Sequence, residues 1–210
     1  MNLRIKEKIL TKFSKLYNTN SNYFKIQKLP NWINFYTNEL NKELQNRRKV
    51  KFNQYKQGTV IMAELGVNIG DEMSGPHFCV VINKNDTQYD HIITILPLTS
   101  HNKKRYLPLN ENIAIKNLQK IKSELLKLNQ ILINNNNNPF EVRQQIIVLN
   151  NQLEITRNFN KETYVDTMNI RSIDKSRIFK YSKFSISENF VITDKNISRI
   201  TNKIIKNIVK

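Results

Sequence analysis

Three histidines, His77, His91 and His101, are the side chains of this sequence best suited to moving a proton near neutral pH. His77 follows a glycine-rich run and opens an apolar strand pattern, Phe78-Cys79-Val80-Val81-Ile82. His101 follows Thr99 and Ser100, at the end of a second strand pattern that runs from His91 to Leu98. If the two strands pair antiparallel, His77 comes close to Thr99 and His101. Lys103, Lys104, Arg105 and Tyr106 come next in the chain. Two imidazoles, a hydroxyl and surplus positive charge suit cleavage of RNA without a metal. That reaction needs a base for the ribose 2′-OH, an acid for the leaving 5′-oxygen and a cation for the charge on phosphorus. In this reading His77 is the acid or the base, Thr99 bonds the phosphate, and Lys103 or Arg105 holds charge. His101 is the second catalytic candidate. Ser100, Lys104 and Tyr106 join Lys103 and Arg105 as RNA contacts, with Tyr106, Phe78 and Tyr89 as possible stacking platforms. His91 is expected to be structural.

Other chemistries find little support. The single cysteine, Cys79, sits inside an apolar run and reads as a buried small hydrophobe, not a nucleophile or a partner of His77. With one cysteine no disulfide closes within the chain, which fits a reducing cytoplasm. There is no His-x-x-x-His, no cysteine pair and no acidic cluster with ligand spacing, so no metal is expected. Nor is a cofactor, since phosphate-cradling and dinucleotide fingerprints are absent. Lys and Arg number 34 against 17 Asp and Glu, a net charge of +17 that points to a polyanion. The abundance of Asn, Lys and Ile also fits AT-rich coding, an alternative source for part of the lysine excess. No apolar run reaches the roughly 18 residues of a membrane span, and the N-terminus lacks the apolar core of a signal peptide. No membrane partner is expected.

The elements that must position these groups are read from periodicity. Residues 1 to about 50 hold two helices. The first runs to about Tyr17, with Ile5, Ile9, Phe13 and Leu16 on one face, expected to dock on the protein's own core. The second follows Pro30, with Ile33, Tyr36, Leu40 and Leu44 at spacings of three and four. At Gly58 the period changes to that of strands: Thr59–Leu65, Phe78–Ile82, His91–Leu98 and Tyr106–Leu109. Three of the four glycines, Gly66, Gly70 and Gly75, fall between the first two strands and mark a loop with special backbone demands. From Ile115 to about Arg157 the period is helical again, interrupted by Asn134–Asn138 and Pro139. This predicts a helical hairpin with a polar turn, packed as a short antiparallel coiled coil. A strand is expected at Tyr164–Ile170, a turn at Ile173–Arg177, a further strand near Lys180–Phe184, and an amphipathic C-terminal helix from Thr193.

Four blocks resemble the PemK/MazF toxins of bacterial toxin–antitoxin systems. They are Tyr55–Leu65, then Gly70-Asp71-Glu72-Met73-Ser74-Gly75-Pro76-His77 leading into its strand, then Ile95-Leu96-Pro97-Leu98-Thr99-Ser100, and Ile170–Ile178. The resemblance covers about 55–110 and 162–210. It implies an α+β fold: a small SH3-like barrel domain over 55–210, interrupted by a helical hairpin at 113–160, with a helical extension at 1–54 and a C-terminal helix. It also implies a cytoplasmic, homodimeric, metal-independent endoribonuclease that cleaves single-stranded mRNA, inhibits growth and is neutralised by a cognate antitoxin protein. The family's catalytic pair carries over to His77 and Thr99, and an acidic residue used by some relatives to the neighbourhood of Asp166. The family commonly has Arg where this chain has His77. Arg stabilises charge without giving up its proton, whereas His can shuttle one. Gly70, Glu72, Gly75 and Arg171 are read as structural, with Arg171, Asp174 and Arg177 in one ion network. A non-catalytic barrel toxin aimed at a protein target, or a basic nucleic-acid-binding scaffold, are the alternatives.

Overall fold

A computed structural model describes residues 3–19, 21–47, 49–133, 139–158, 161–180 and 187–208. The asparagine turn at 134–138, and most of the strand expected at 180–184, fall outside these residues. The chain divides into two compact units. One comprises residues 1–50 and 64–76, the other residues 51–63 and 77–210. Among the described residues no helix is long and apolar enough to cross a membrane.

The smaller unit holds α1 (Leu3–Tyr17), α2 (Phe24–Leu44) and the glycine loop. α1 ends where its periodicity predicts. It buries none of its residues, contrary to expectation: Ile5, Ile9 and Leu16 are exposed. An amphipathic arc shows which side a helix can bury, not that a partner exists within the chain. α2 starts six residues before Pro30 and carries that proline inside it. The early turns are fixed by tertiary contacts that a proline-based boundary ignores. Lys25 is buried and donates to the carbonyls of Asn68 at 2.7 Å and Gly70 at 2.6 Å.

The larger unit is built on one antiparallel sheet. Its strands are β1 (Thr59–Glu64), β2 (Pro76–Val81), β3 (Ile92–Thr99), β4 (Leu107–Pro108), β5 (Tyr164–Val165), β6 (Arg171–Asp174), β7 (Ile178–Phe179) and β8 (Phe190–Val191). The order is β4-β5-β3-β2-β1-β7, with β6 also on β3 and β8 also on β1. Among the described residues no ladder joins the β4 edge to the β7 edge, so the sheet is open. The fold is α+β. Of the expected Tyr164–Ile170 strand only Tyr164–Val165 is one; a turn follows, in which Asp166 accepts from the backbone N–H groups of Met168 and Asn169, and β6 then runs into the start of the expected Ile173–Arg177 turn, leaving Lys175–Arg177 as the 3₁₀ turn. An Asp carboxylate that bonds its own backbone two residues on favours a turn over a continued ladder.

Alternation along the strands gives the sheet two buried faces. Val60, Val80, Leu96, Leu98 and Val165 point to one side. There they pack with Phe190 of β8, with Ile192, and with Ile200 of α5 (Asp194–Ile208). Glu111 accepts hydrogen bonds from the backbone N–H and hydroxyl of Thr193 and from the Asn196 amide, which holds the start of α5. α3 (Ile113–Ile133) and α4 (Pro139–Asn158) form the predicted hairpin. Ile121, Leu149 and Leu153 are its buried seam, joined by a buried hydrogen bond from the Asn117 amide to the Thr156 hydroxyl at 3.2 Å.

Candidate active site

β2 and β3 pair with Cys79 opposite Pro97, Val80 opposite Leu96 and Val81 opposite Ile95. That ladder ends at Cys79–Pro97; extended by two residues, the same register would bring His77 opposite Thr99. On the far side of β3, Thr99 faces Tyr164 and Leu98 faces Val165. Tyr164 in turn faces Pro108 on β4. The paired row across three strands therefore reads Thr99, Tyr164, Pro108, with His77 on its extension across β2. Directly opposed residues have Cβ atoms about 4.5–5.5 Å apart and share a face. His77 and Thr99 are half-buried, so both are partly accessible.

The Thr99 hydroxyl accepts from the backbone N–H of His101 at 3.1 Å. Its own proton can then be donated onward. His101 itself is exposed, as are Ser100, Lys103, Lys104 and Arg105. Lys103 and Arg105 both lie against the Tyr106 ring, at 5.8 Å and 5.2 Å from its centroid. Cations thus approach the face that a stacking base would need. Asp166 is buried, and its backbone N–H donates to the Pro97 carbonyl at 3.1 Å. Its carboxylate is 3.8 Å from the Arg105 guanidinium. Asp166 therefore lies beside Pro97, two residues along β3 from Thr99, a proximity that no spacing in the sequence announces.

His91 stands apart. It lies at the opposite end of β3, about 25 Å from Thr99 by the rise of an extended strand. Its ring meets Phe52 edge to face at 5.2 Å. Phe78 packs against the core behind the sheet and is no platform for a base. Tyr89 is exposed, with the Lys51 ammonium 5.5 Å from its ring centroid.

Cys79 lies two residues from His77 on β2 and shares its face, so burial and not orientation keeps the two apart. The thiol is fully buried, and burial pushes it far above the ordinary thiol range, with Arg171 and Arg177 opposing in part. Arg171 faces Ile95 on β3 and donates from Nε to Asn169 at 2.6 Å. Asp174, three residues along β6, points to the other face. Its carboxylate caps the 3₁₀ turn Lys175–Arg177 by accepting from the Ser176 N–H at 2.9 Å. The fully buried ion pair of this region is one that sequence reasoning missed. Lys175 meets Asp86 at 2.7 Å and also donates to the Thr87 carbonyl at 2.8 Å. Tyr164 was missed as well. Its hydroxyl donates to Glu162 at 2.6 Å, and that bond raises the phenol above its ordinary range. Only strand pairing could have placed it beside Thr99.

In the smaller unit, Gly66, Gly70 and Gly75 all have positive φ, at 81°, 60° and 81°. A Cβ on Gly66 would come within 2.9 Å of the Trp32 ring, and one on Gly75 within 2.7 Å of Lys28 Nζ. The Asn68 amide ties the loop by donating to the carbonyls of Leu65 and Met73 at 3.0 Å and 2.7 Å. The Glu72 carbonyl accepts from the Ser74 hydroxyl at 3.3 Å. Among the described residues no group of three or more His, Cys, Asp or Glu side chains is placed to hold a metal ion.

Residues 56–134 match the family described as the PemK-like, MazF-like toxin of type II toxin–antitoxin systems. That segment contains β1 to β4, with both His77 and Thr99, and runs through α3. No curated protein sequence matches the chain.

Proposed function

With residues 56–134 PemK/MazF-like, we propose that this chain is the toxin of a type II toxin–antitoxin pair, a metal-independent endoribonuclease acting on single-stranded RNA. What supports the reading is the β2–β3 register, which when extended by two residues would bring His77 opposite Thr99, both within the segment that matches the toxin family. In the proposed reaction the ribose 2′-oxygen attacks phosphorus as a base removes its proton. The bond from phosphorus to the 5′-oxygen breaks, and an acid protonates the departing oxygen. The products are a 2′,3′-cyclic phosphate and a 5′-hydroxyl end. His77 is one of the two proton carriers, and His101 or Asp166 the other. Thr99, accepting from the His101 N–H, donates its hydroxyl proton to a phosphate oxygen. Lys103 or Arg105 balances the charge that builds on phosphorus.

The corresponding fold is the family's small SH3-like barrel over 55–210, with 1–54 and 113–160 as additions. What supports it is the single sheet that joins all eight strands, although among the described residues no ladder closes its β4 and β7 edges. The partners are a single-stranded mRNA, a cognate antitoxin protein and a second copy of the chain, in the cytoplasm. Inducing the gene in a bacterium and examining total RNA tests the proposal. Cuts at short motifs that vanish with His77→Ala and Thr99→Ala are expected. Growth arrest with intact RNA would overturn the nuclease and favour a protein target. No arrest and no cuts would overturn the toxin.

A further inference from the structure

A cavity of about 280 Å³ opens beside the row that carries His77 and Thr99. Its lining includes Pro108, Asn110, Asn112, Lys161, Glu162 and Thr163. Pro108 is the β4 member of that row, two strand spacings from Thr99, about 10 Å. The cavity therefore lies within reach of a base next to a phosphate held at Thr99. Its volume is just below the roughly 300–1,000 Å³ of pockets that enclose drug-sized ligands, which suits a single planar ring system.

The lining matches a base in kind as well as in size. The Pro108 ring offers a flat apolar surface. Asn110 offers an amide with a donor and an acceptor, on a backbone held at φ 53°. A non-glycine residue in the left-handed region is uncommon, and such residues gather where the chain serves a ligand. Glu162 is held by the Tyr164 hydroxyl, at 2.6 Å, the same Tyr164 that faces Thr99. The carboxylate is thereby tied to the row bearing the candidate catalytic pair. Asn112 accepts at Oδ1 from the Ile115 N–H at 3.0 Å, so it serves mainly as the cap of α3.

We propose that this cavity is a nucleobase subsite that reads one position flanking the cut, with Asn110 and Glu162 as its specificity-determining residues. The proposal rests on the nuclease reading given above. A carboxylate accepts from an exocyclic amino group, and an Asn amide pairs with the amino and ring-nitrogen edge of adenine. Uracil flanks its one ring N–H with two carbonyls, which a carboxylate repels. The subsite therefore takes a base with an exocyclic amino group, adenine and cytosine among them, ahead of uracil.

The test uses the full chain and tetranucleotide RNAs that differ at one position, with a non-cleavable 2′-deoxy link at the scissile step. Binding is read by fluorescence anisotropy. The wild-type protein should prefer adenine or cytosine over uracil by about tenfold at one position. Glu162→Gln and Asn110→Gly should each cut that preference to within about twofold while leaving affinity for the uracil oligomer unchanged. Glycine at 110 keeps the left-handed backbone. Thr99→Val should weaken all oligomers alike and keep the preference. Equal binding of all bases by the wild type, or an undiminished preference in both variants, overturns the subsite. Failure of the nuclease reading is distinguishable, because it shows as intact RNA with the cleavable oligomers whatever the binding preference.

Discussion

At the scale of single residues, His77 and Thr99 make different and separable contributions. His77→Ala should slow cleavage of a single-stranded oligonucleotide by at least about 10²-fold while the circular dichroism spectrum is unchanged. A rate within a few-fold of wild type would remove His77 from proton transfer. Thr99→Val preserves shape but loses the hydroxyl, and it should lower kcat more than it raises KM. Two buried acids contribute to the loss of stability at alkaline pH. Burial raises the Cys79 thiol, and burial with Glu188 beside it raises the Tyr55 phenol, above their ordinary values of 9.0 and 10.0. Each holds its proton longer in the folded than in the unfolded chain. Their contribution is complete below those ordinary values and falls away as pH rises above them. Urea midpoints taken at increasing pH should therefore drop from about pH 9 upward. The drop should be shallower in Tyr55→Phe. Cys79 was legible as a buried residue from its apolar run alone, whereas nothing in the spacing of Tyr55 and Glu188 announced their contact.

At the scale of elements, two devices hold strands and loops in place. The first is the Lys175–Asp86 pair, with side chains 0% and 1% exposed. Asp86 also accepts from the Tyr55 N–H at 2.8 Å. This ties the 3₁₀ turn after β6 to the segment entering β1. Lys175→Met strands a buried carboxylate and should cost about 3–5 kcal/mol in urea unfolding. Replacing both partners, with Asp86→Leu, should cost less than the single change. A single variant as stable as wild type would show that the pair is solvated. The second device is the glycine loop of the smaller unit. Gly66→Ala meets both a left-handed backbone and the Trp32 ring, whereas Gly70→Ala meets the backbone alone, with nothing within 4 Å. Both should cost at least the roughly 1–2 kcal/mol of a left-handed L residue, and Gly66→Ala more. Faster hydrogen exchange at the Gly75 N–H, which donates to the Gly66 carbonyl at 2.7 Å, would report it. That three glycines serve positive φ was readable from their clustering. That α2 clasps the loop through Lys25 was not, because the contact joins positions more than forty residues apart.

At the scale of the whole molecule, the charge of +17 should dominate affinity for RNA. Binding should weaken steeply with salt, with a log–log slope of about −0.7 for each phosphate neutralised on a single strand. Lys103→Glu with Lys104→Glu should flatten that slope by about 1.4 if each lysine meets one phosphate. An unchanged slope would place the RNA elsewhere on the surface.

Period and composition determined the kinds of element and their order: α1, the hairpin of α3 and α4, the three long strands and α5 are local in origin, written in apolar spacing. Block order also pointed to the toxin family that residues 56–134 match. Tertiary structure alone decided the register that lines up Thr99, Tyr164 and Pro108 and points β2 toward them, the start of α2 ahead of Pro30, and the turn that separates β5 from β6. Register is a relation between segments far apart in the chain. A shift of one residue would turn every side chain to the other face, and with both faces of the sheet buried it is the fit of particular side chains on each face that selects among the choices.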